Sequence, residues 1–318
     1  MTPRVFVTRR LPIDPVEVLG AAIEPVVFQE DRPPTRDEIA LGARGARAIV
    51  SLVTDRIDAT LLDRLPDLAI VAQMAVGYDN VDVAACRARG IVVTHTPDAL
   101  TESTADCAFG LVLAVARRFH EGEARVLAGE FTGWSPTMLL GTELADKTLG
   151  IVGYGRIGRA VARRAAAFGM SVIASEREDA PFAPDGIATH APFARLLAES
   201  DVVSIHCPGS PATRHLVGEA ELALMKPGAI LVNTARGTIV DEAALVRALE
   251  QRRLAGAGLD VYEDEQRVHP GLLGRSDVVL LPHLGSATLE ARSRMASFAL
   301  ADARRVLEGK EPQRPVPA

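Results

Sequence analysis

Three polar residues in the second half of the chain each follow an apolar run. Arg236 follows Ile230-Leu231-Val232-Asn233-Thr234-Ala235, and Glu265 follows Gly258-Leu259-Asp260-Val261-Tyr262. His283 follows Val278-Val279-Leu280-Leu281-Pro282. If those runs are buried strands, the three residues share the C-terminal edge of one sheet, where open α/β sheets bind their ligands. Their chemistry is complementary. An arginine grips a carboxylate through two parallel N–H bonds and polarises a neighbouring carbonyl. A histidine delivers a proton to a carbonyl oxygen as hydride reaches the carbon. A carboxylate beside the histidine favours the imidazolium and fixes its ring. Such a set suits reduction of a 2-keto acid to a 2-hydroxy acid. Plainer readings stay open: a histidine after proline is often a turn or capping residue, and Glu265 belongs to the acidic run Glu263-Asp264-Glu265. His95, His120, His190, His206, His215 and His269 have no comparable partners in the sequence, and His206 reads as structural.

A hydride needs a carrier, and Leu149 to Gly158 supplies a place for one. An apolar run from Thr148 to Val152 is followed by Gly153, Gly155 and Gly158 in G-x-G-x-x-G spacing, then by the helix formers of Arg159 to Phe168. Strand, glycine turn and helix in that order form the dinucleotide fingerprint. The first glycine permits a tight turn, the second lets backbone approach a pyrophosphate, and the third lets helix pack on strand. The helix N-terminus presents N–H groups and partial positive charge to the phosphates, and Arg156 and Ile157 in the turn before it are cofactor-binding candidates. The fingerprint also calls for an acid about 20 residues on, to hold the ribose hydroxyls. Glu176 stands there, directly after an apolar run, and favours NAD; Arg177 beside it could pair with a 2′-phosphate and keeps NADP open.

These residues must be carried by regular elements. With 318 residues, two domains are expected. The strand candidates in the first hundred residues are Val5–Val7, Val26–Phe28, Ala48–Val50, Ile70–Ala72 and Ile91–Val93, with helices near 15–22, 35–43, 59–65 and 83–89 between them. Asp14-Pro15, Thr35 and Asp82 read as helix starts. Such alternation predicts a parallel sheet with helices on both faces, an α/β doubly wound unit. Two helices are expected over 101–128, then a Gly/Pro-containing connection holding Trp134. A second doubly wound unit follows, with strands at 171–174, 202–205, 229–232, 256–259 and 278–281. Its helices fall at 193–199, 219–224 and 242–251, and an amphipathic helix over 289–307 closes the chain.

Composition narrows the partners. Hydrophobic residues make up 48% and charged residues 24%, an ordinary globular balance. The net charge of −6 leaves no basic field for nucleic acid or an anionic membrane. The start, MTPRVFVTRR, lacks a signal-peptide h-region, and the longest apolar run, Cys107 to Ala116, is half the ~20 residues needed to cross a bilayer. Cys86, Cys107 and Cys207 fit a reducing compartment and no metal spacing. A cytoplasmic protein without metal, membrane or nucleic-acid partners is expected.

Five motifs together resemble the D-isomer-specific 2-hydroxyacid dehydrogenases, nearest to the glyoxylate/hydroxypyruvate reductase branch. They are Val76-Gly77-Tyr78-Asp79-Asn80-Val81-Asp82, Gly153-Tyr154-Gly155-Arg156-Ile157-Gly158, Asn233-Thr234-Ala235-Arg236-Gly237, Gly258-Leu259-Asp260-Val261-Tyr262 and Pro282-His283-Leu284-Gly285-Ser286-Ala287-Thr288. The resemblance covers nearly the whole chain. It implies two Rossmann-like or flavodoxin-like domains with a cofactor cleft between them. The substrate domain would be discontinuous, 1–99 plus 288–318, and the NAD(P)-binding domain 100–287. It implies hydride transfer from NAD(P)H to glyoxylate or hydroxypyruvate, giving the D-2-hydroxy acid. Arg236 would bind substrate, His283 would be the acid/base and Glu265 its partner. Thr104, Pro208, Thr234, Ala235, Asp260 and Gly285 would line the cofactor, with Asp260 on the nicotinamide side. The N–H groups of Val76 and Gly77 would hold the substrate carboxylate beside Leu52, with Ser286 and Arg292 nearby. The 101–145 region would form a homodimer, with Trp134 either reaching the partner or anchoring a surface loop.

Two positions depart from the family pattern. Gln266 replaces the usual proline after the catalytic glutamate, and Ser175-Glu176-Arg177 mixes NAD-type and NADP-type features. Glu265 argues against the formate dehydrogenase-like members, and the chain has no room for the extra domain of many phosphoglycerate dehydrogenases. Phosphite dehydrogenase-like members carry lysine where Val76 stands, although 129–134 resembles them. A non-catalytic NAD(H)-sensing protein is the alternative from another class.

Overall fold

The computed structural model describes residues 2–177 and 182–317. It divides into two compact units, one formed by residues 1–100 with 287–318 and the other by 101–286.

The first unit holds five parallel strands: β1 (Arg4–Val7), β2 (Glu24–Val27), β3 (Ala48–Ser51), β4 (Ile70–Gln73) and β5 (Val92–Thr94). Their order is β2-β1-β3-β4-β5, a doubly wound arrangement. The short helices α1 (Pro15–Leu19), α2 (Arg36–Gly42), α3 (Ala59–Leu62) and α4 (Val83–Ala88) start where side chains cap them. Asp14, Thr35, Asp58 and Asp82 each accept a first-turn N–H, and Thr35 completes a capping box with Glu38. Helix α1 stops sooner than the sequence pattern predicts, because Gly20 turns to φ +77. Pro25 lies inside β2, which tolerates it as an edge strand. β3 and β4 are buried along their whole length, as expected for a sheet covered on both faces. Phe6, Ile49 and Val71 pack on one face against α2 and α3.

In the second unit, α5 (Thr101–Ala116) and α6 (Phe119–Leu127) precede seven strands. These are β6 (Thr148–Val152), β7 (Ser171–Ser175), β8 (Ala188–His190), β9 (Val202–Ile205), β10 (Ala229–Asn233), β11 (Leu254–Leu259) and β12 (Val278–Leu280). They run parallel in the order β12-β11-β10-β9-β6-β7-β8. The order reverses between β6 and β9, which makes the C-terminal end of β6 the switch point where such sheets bind ligands. The intervening helices are α7 (Arg156–Ala167), α8 (Phe193–Glu199), α9 (Glu219–Leu224) and α10 (Glu242–Glu250). Helix α5 lies on one face with α7, where Arg164 pairs with Glu102 and Asp106. Strand β8 has no counterpart in the sequence reading. It is three residues long at the sheet edge, two of them exposed, so it leaves almost no apolar pattern.

The last helix, α11 (Leu289–Leu307), belongs to the first unit and packs against β3, β4 and α1. Among the described residues, no helix is long and apolar enough to cross a membrane, and no histidine, cysteine or carboxylate cluster could hold a metal.

Candidate active site

The glycine turn occupies the switch point of the second sheet. Gly153 leaves β6 at φ +93, and a Cβ there would lie 2.5 Å from the Cys207 backbone at the end of β9. Gly158 sits in the first turn of α7, where a Cβ would fall 2.4 Å from the Gly153 carbonyl oxygen. Gly155, the N-cap of α7, has ordinary dihedrals (φ −76, ψ −160), offers no side-chain cap, and would meet no heavy atom within 4 Å if it carried a Cβ. The first and third glycines are thus required by the protein's own packing, whereas the second borders open space at a helix N-terminus. The first turn of α7 has no intrahelical acceptors for its N–H groups, and it borders that space. Helix α7 begins three residues earlier than the sequence pattern placed it, directly at this turn.

Glu176 follows β7 immediately, half-buried, with Arg177 exposed beside it. Burial pushes the Cys207 thiol up to about 11, and the Glu176 carboxylate adds to the effect, so the acid stands near the end of β9 as well. Pro208, one residue further, is exposed, and its carbonyl accepts the Thr213 hydroxyl at 2.9 Å. Thr234, at the end of β10, buries a hydroxyl oxygen with no hydrogen-bond partner among the described residues. An open glycine cradle, an orphaned hydroxyl and a carboxylate at the end of the second strand fit a dinucleotide's pyrophosphate and ribose.

Arg236 projects from the turn after β10. Asn233 builds that turn, its side chain accepting from the Ala235 N–H (3.0 Å) and donating to the Arg236 carbonyl (2.9 Å). The aliphatic stem of Arg236 lies on Gly209, where a Cβ would come 2.8 Å from its Cγ. Gly237 backs directly onto the Tyr262 carbonyl, which welds the β10 and β11 turns together.

His283 and Glu265 are in contact. The imidazole Nδ1 lies 2.8 and 3.0 Å from the two Glu265 oxygens, and both side chains are partly exposed. His283 holds φ +55, a strained setting for a side chain of this size. Asp260 explains how the strain is kept. Its carboxylate is fully buried and accepts the Leu284 N–H (2.6 Å) and the Gly285 N–H (2.7 Å), while its carbonyl accepts the His283 N–H (3.0 Å). Burial raises this carboxyl above the usual carboxylate value, with the two N–H bonds and His283 pulling the other way. Asp260 thus holds the histidine loop through both of its carboxylate oxygens. Thr104 holds the same loop, donating its hydroxyl to the Gly285 carbonyl at 3.1 Å. Ser286 follows, half-buried. Gln266 uses an N–H that proline lacks: it donates to the Asp264 carboxylate at 3.0 Å and closes the turn after Glu265.

In the first unit, the 76–80 loop follows β4. The Val76 carbonyl accepts from His95 Nδ1 at 2.9 Å, and the Gly77 carbonyl faces Gln73 Nε2. Among the described residues the N–H groups of Val76 and Gly77 have no acceptor. Leu52 differs, since its N–H is taken by Asp55 and its carbonyl by Asn80. Sequence reasoning missed the network behind the loop: Asn80 bridges Gln73 (2.8 Å), Leu52 (2.9 Å) and the Asp55 carbonyl (2.7 Å). Arg292 is exposed in the first turn of α11.

Comparison with known proteins agrees with this construction. The family model for the D-isomer specific 2-hydroxyacid dehydrogenase, NAD binding domain, matches residues 109–285. A glyoxylate reductase of Thermococcus litoralis is 48% identical over 303 residues, 94% of this chain and 92% of that protein. A glyoxylate reductase crystal structure from Paecilomyes thermophila superposes with a TM-score of 0.89 at 36% identity, covering 99% of this chain and 98% of that one. The NADPH-dependent glyoxylate/hydroxypyruvate reductase of Sinorhizobium meliloti, solved with NADP and malonate, gives 0.87 at 36% identity, covering 99% and 97%. With the glycine turn at the switch point and four of the five motifs at the ends of strands in the same sheet, this chain belongs to the D-isomer specific 2-hydroxyacid dehydrogenases.

Proposed function

We propose that this protein reduces small 2-keto acids, glyoxylate or hydroxypyruvate, to the corresponding 2-hydroxy acids with NADH or NADPH. The observation that carries the reading is the His283–Glu265 pair, 2.8 Å apart on the sheet that carries the glycine turn. When bound, the nicotinamide supplies the hydride; binding, orientation and proton delivery fall to the chain's own residues. Nδ1–H of His283 donates to Glu265, so Nε2 carries the proton that passes to the carbonyl oxygen. Glu265 fixes the ring and balances the imidazolium charge. Arg236 grips the substrate through its guanidinium fork. Asp260 and Thr104 hold the 283–285 loop that aims the histidine. In the first unit, 1–100 with 287–318, the paired N–H groups of Val76 and Gly77 form a carboxylate receptor, which makes it the substrate domain; Arg292 in this unit and Ser286 in the second are further substrate positions. The second unit is the cofactor domain: Gly153, Gly155 and the first turn of α7 take the pyrophosphate.

NAD is the preferred cofactor in this reading, because Glu176 accepts both ribose hydroxyls and repels a 2′-phosphate. The protein acts as a homodimer. Helix α6 buries none of its residues, and Phe119, Val126, Leu127, Phe131, Trp134 and Leu140 are all exposed between 119 and 140. Exposed apolar side chains concentrated in one segment mark an interface, and a second copy of the chain is its occupant.

The test is turnover. Purified protein should oxidise NADH with glyoxylate or hydroxypyruvate, and His283→Ala should lose about 10²–10⁴-fold in kcat while still binding NADH. Arg236→Ala should abolish reduction of keto acids. An inactive wild-type protein, or an unchanged rate in His283→Ala, refutes the assignment.

A further inference from the structure

Glu265 lies in an irregular segment after β11, so something other than secondary structure must place it. The contacts of its neighbour Glu263 show what does. The Glu263 N–H donates to the Glu242 carboxylate at 2.8 Å, and the Glu242 N–H donates to Glu263 Oε1 at 3.0 Å. Each glutamate thus receives the other's backbone, and Glu242, the first residue of α10, is buried. The second Glu263 oxygen takes His215 Nε2 at 3.0 Å, with Arg214 at 3.8 Å. His215 itself is held at φ +51, and its N–H donates to the Thr238 carbonyl at 2.8 Å. The acidic run Glu263-Asp264-Glu265 therefore divides its labour. Glu263 anchors, Asp264 closes the turn through Gln266 and Arg267, and Glu265 meets His283.

We infer that the reciprocal Glu242–Glu263 clasp, buttressed by His215, is the positioning device that sets Glu265 against His283. The inference rests on the catalytic reading of Glu265 given above. The clasp joins the segment to the N-terminus of α10, where two carboxylates are also favoured by the helix dipole. Without it, the arc from 263 to 267 keeps only its internal turn, and a displacement of about 1 Å at a catalytic group costs up to ~10²-fold in rate. Both Glu263 oxygens are taken by protein groups, so its loss should fall on kcat.

The experiment uses the full chain, with steady-state glyoxylate reduction and NADH binding by fluorescence. Glu263→Ala should lower kcat about 10- to 100-fold, with KM for glyoxylate and NADH affinity near wild type. Glu263→Gln keeps an oxygen for the Glu242 N–H and should restore most of the rate. In a Glu265→Gln background, Glu263→Ala should add no further loss, because residues acting through one another are non-additive. Where Glu263→Ala does not fold, Glu263→Asp, which keeps charge but shortens the reach, should show the same kcat-only loss. Wild-type kcat in folded Glu263→Ala or Glu263→Asp, a loss that falls on KM or NADH affinity, or full additivity with Glu265→Gln overturns the clasp. If Glu265→Gln itself turns over like wild type, the reading of Glu265 falls and the clasp with it. If Glu265→Gln is impaired while Glu263→Ala and Glu263→Asp are not, only the clasp falls.

Discussion

Two glycines three residues apart should respond in opposite ways to the same added methyl group. A Cβ on Gly155 meets no protein atom within 4 Å, and the dihedrals there suit any residue. Replacing a glycine by alanine at unstrained dihedrals gains about 0.4–1 kcal/mol from the unfolded chain, while alanine at an N-cap loses about as much. The ligand-free stability of Gly155→Ala should stay within about 0.5 kcal/mol of wild type, or ~1–2 °C in a unit of this size. Gly158→Ala places its methyl 2.4 Å from the Gly153 carbonyl and 3.0 Å from Ile151 Cγ2. Relieving that overlap pries α7 from β6 and should cost about 2–3 kcal/mol, a melting loss of ~5–10 °C. With NADH at a hundred times its wild-type Kd, the wild-type protein gains about 2.7 kcal/mol, or ~5–10 °C. In Gly155→Ala the methyl stands where the pyrophosphate must approach. A 30-fold weaker Kd would cut that gain to about 0.9 kcal/mol, ~2–3 °C. Thermal melts with and without NADH, backed by fluorescence titration, read both quantities. A wild-type NADH shift in Gly155→Ala, or a ligand-free melting loss equal to that of Gly158→Ala, would refute the division of roles among the glycines.

Glu176→Ala should reduce the kcat/KM preference for NADH over NADPH at least about tenfold, the effect of removing one charged hydrogen-bonding partner; an unchanged ratio measured with both cofactors would move the selection to Arg177. His206 is held down to about 4 from 6.5 by burial, with Ser204 Oγ 2.8 Å from its Nε2. A depressed histidine leaves the unfolded chain binding a proton that the native state refuses, so stability present above pH 6.5 is lost as pH falls towards 4. That loss amounts to about 3 kcal/mol, and denaturant melts of His206→Gln should lack it over this window. Leu127→Glu combined with Trp134→Glu puts charge on two of the most exposed apolar side chains (80% and 81% exposed) and should give monomers in sedimentation velocity; a persistent dimer would place the interface elsewhere.

Much of the fold is legible in local pattern. The strands at 148–152 and 202–205 and the helices at 193–199, 219–224 and 289–307 have the same bounds in sequence pattern and structure. Burial on both faces gives parallel strands short continuous apolar runs, and capping side chains mark helix starts within one turn. Where the pattern failed, the reason is physical: β8 is a short edge strand with little to bury, and α7 starts at a glycine N-cap that has no side chain to mark the helix start.

By itself the sequence determined which chemistry was available. The glycine spacing fixed a phosphate turn, and Arg236, Glu265 and His283 stood at the ends of apolar runs because strands must deliver polar groups to one edge. The tertiary structure decided how those groups are held. The sequence shows Asp260 only as a polar residue after an apolar run, and the fold makes it a buried clamp on a loop 24 and 25 residues away. Glu263 stands in the sequence only as a member of an acidic run, and in the fold it grips Glu242 across 21 residues and His215 across 48. Composition and periodicity are short-range properties of a chain. Which carboxylate is spent on backbone and which is left for chemistry is set by strand order, which brings turns distant in sequence against one another.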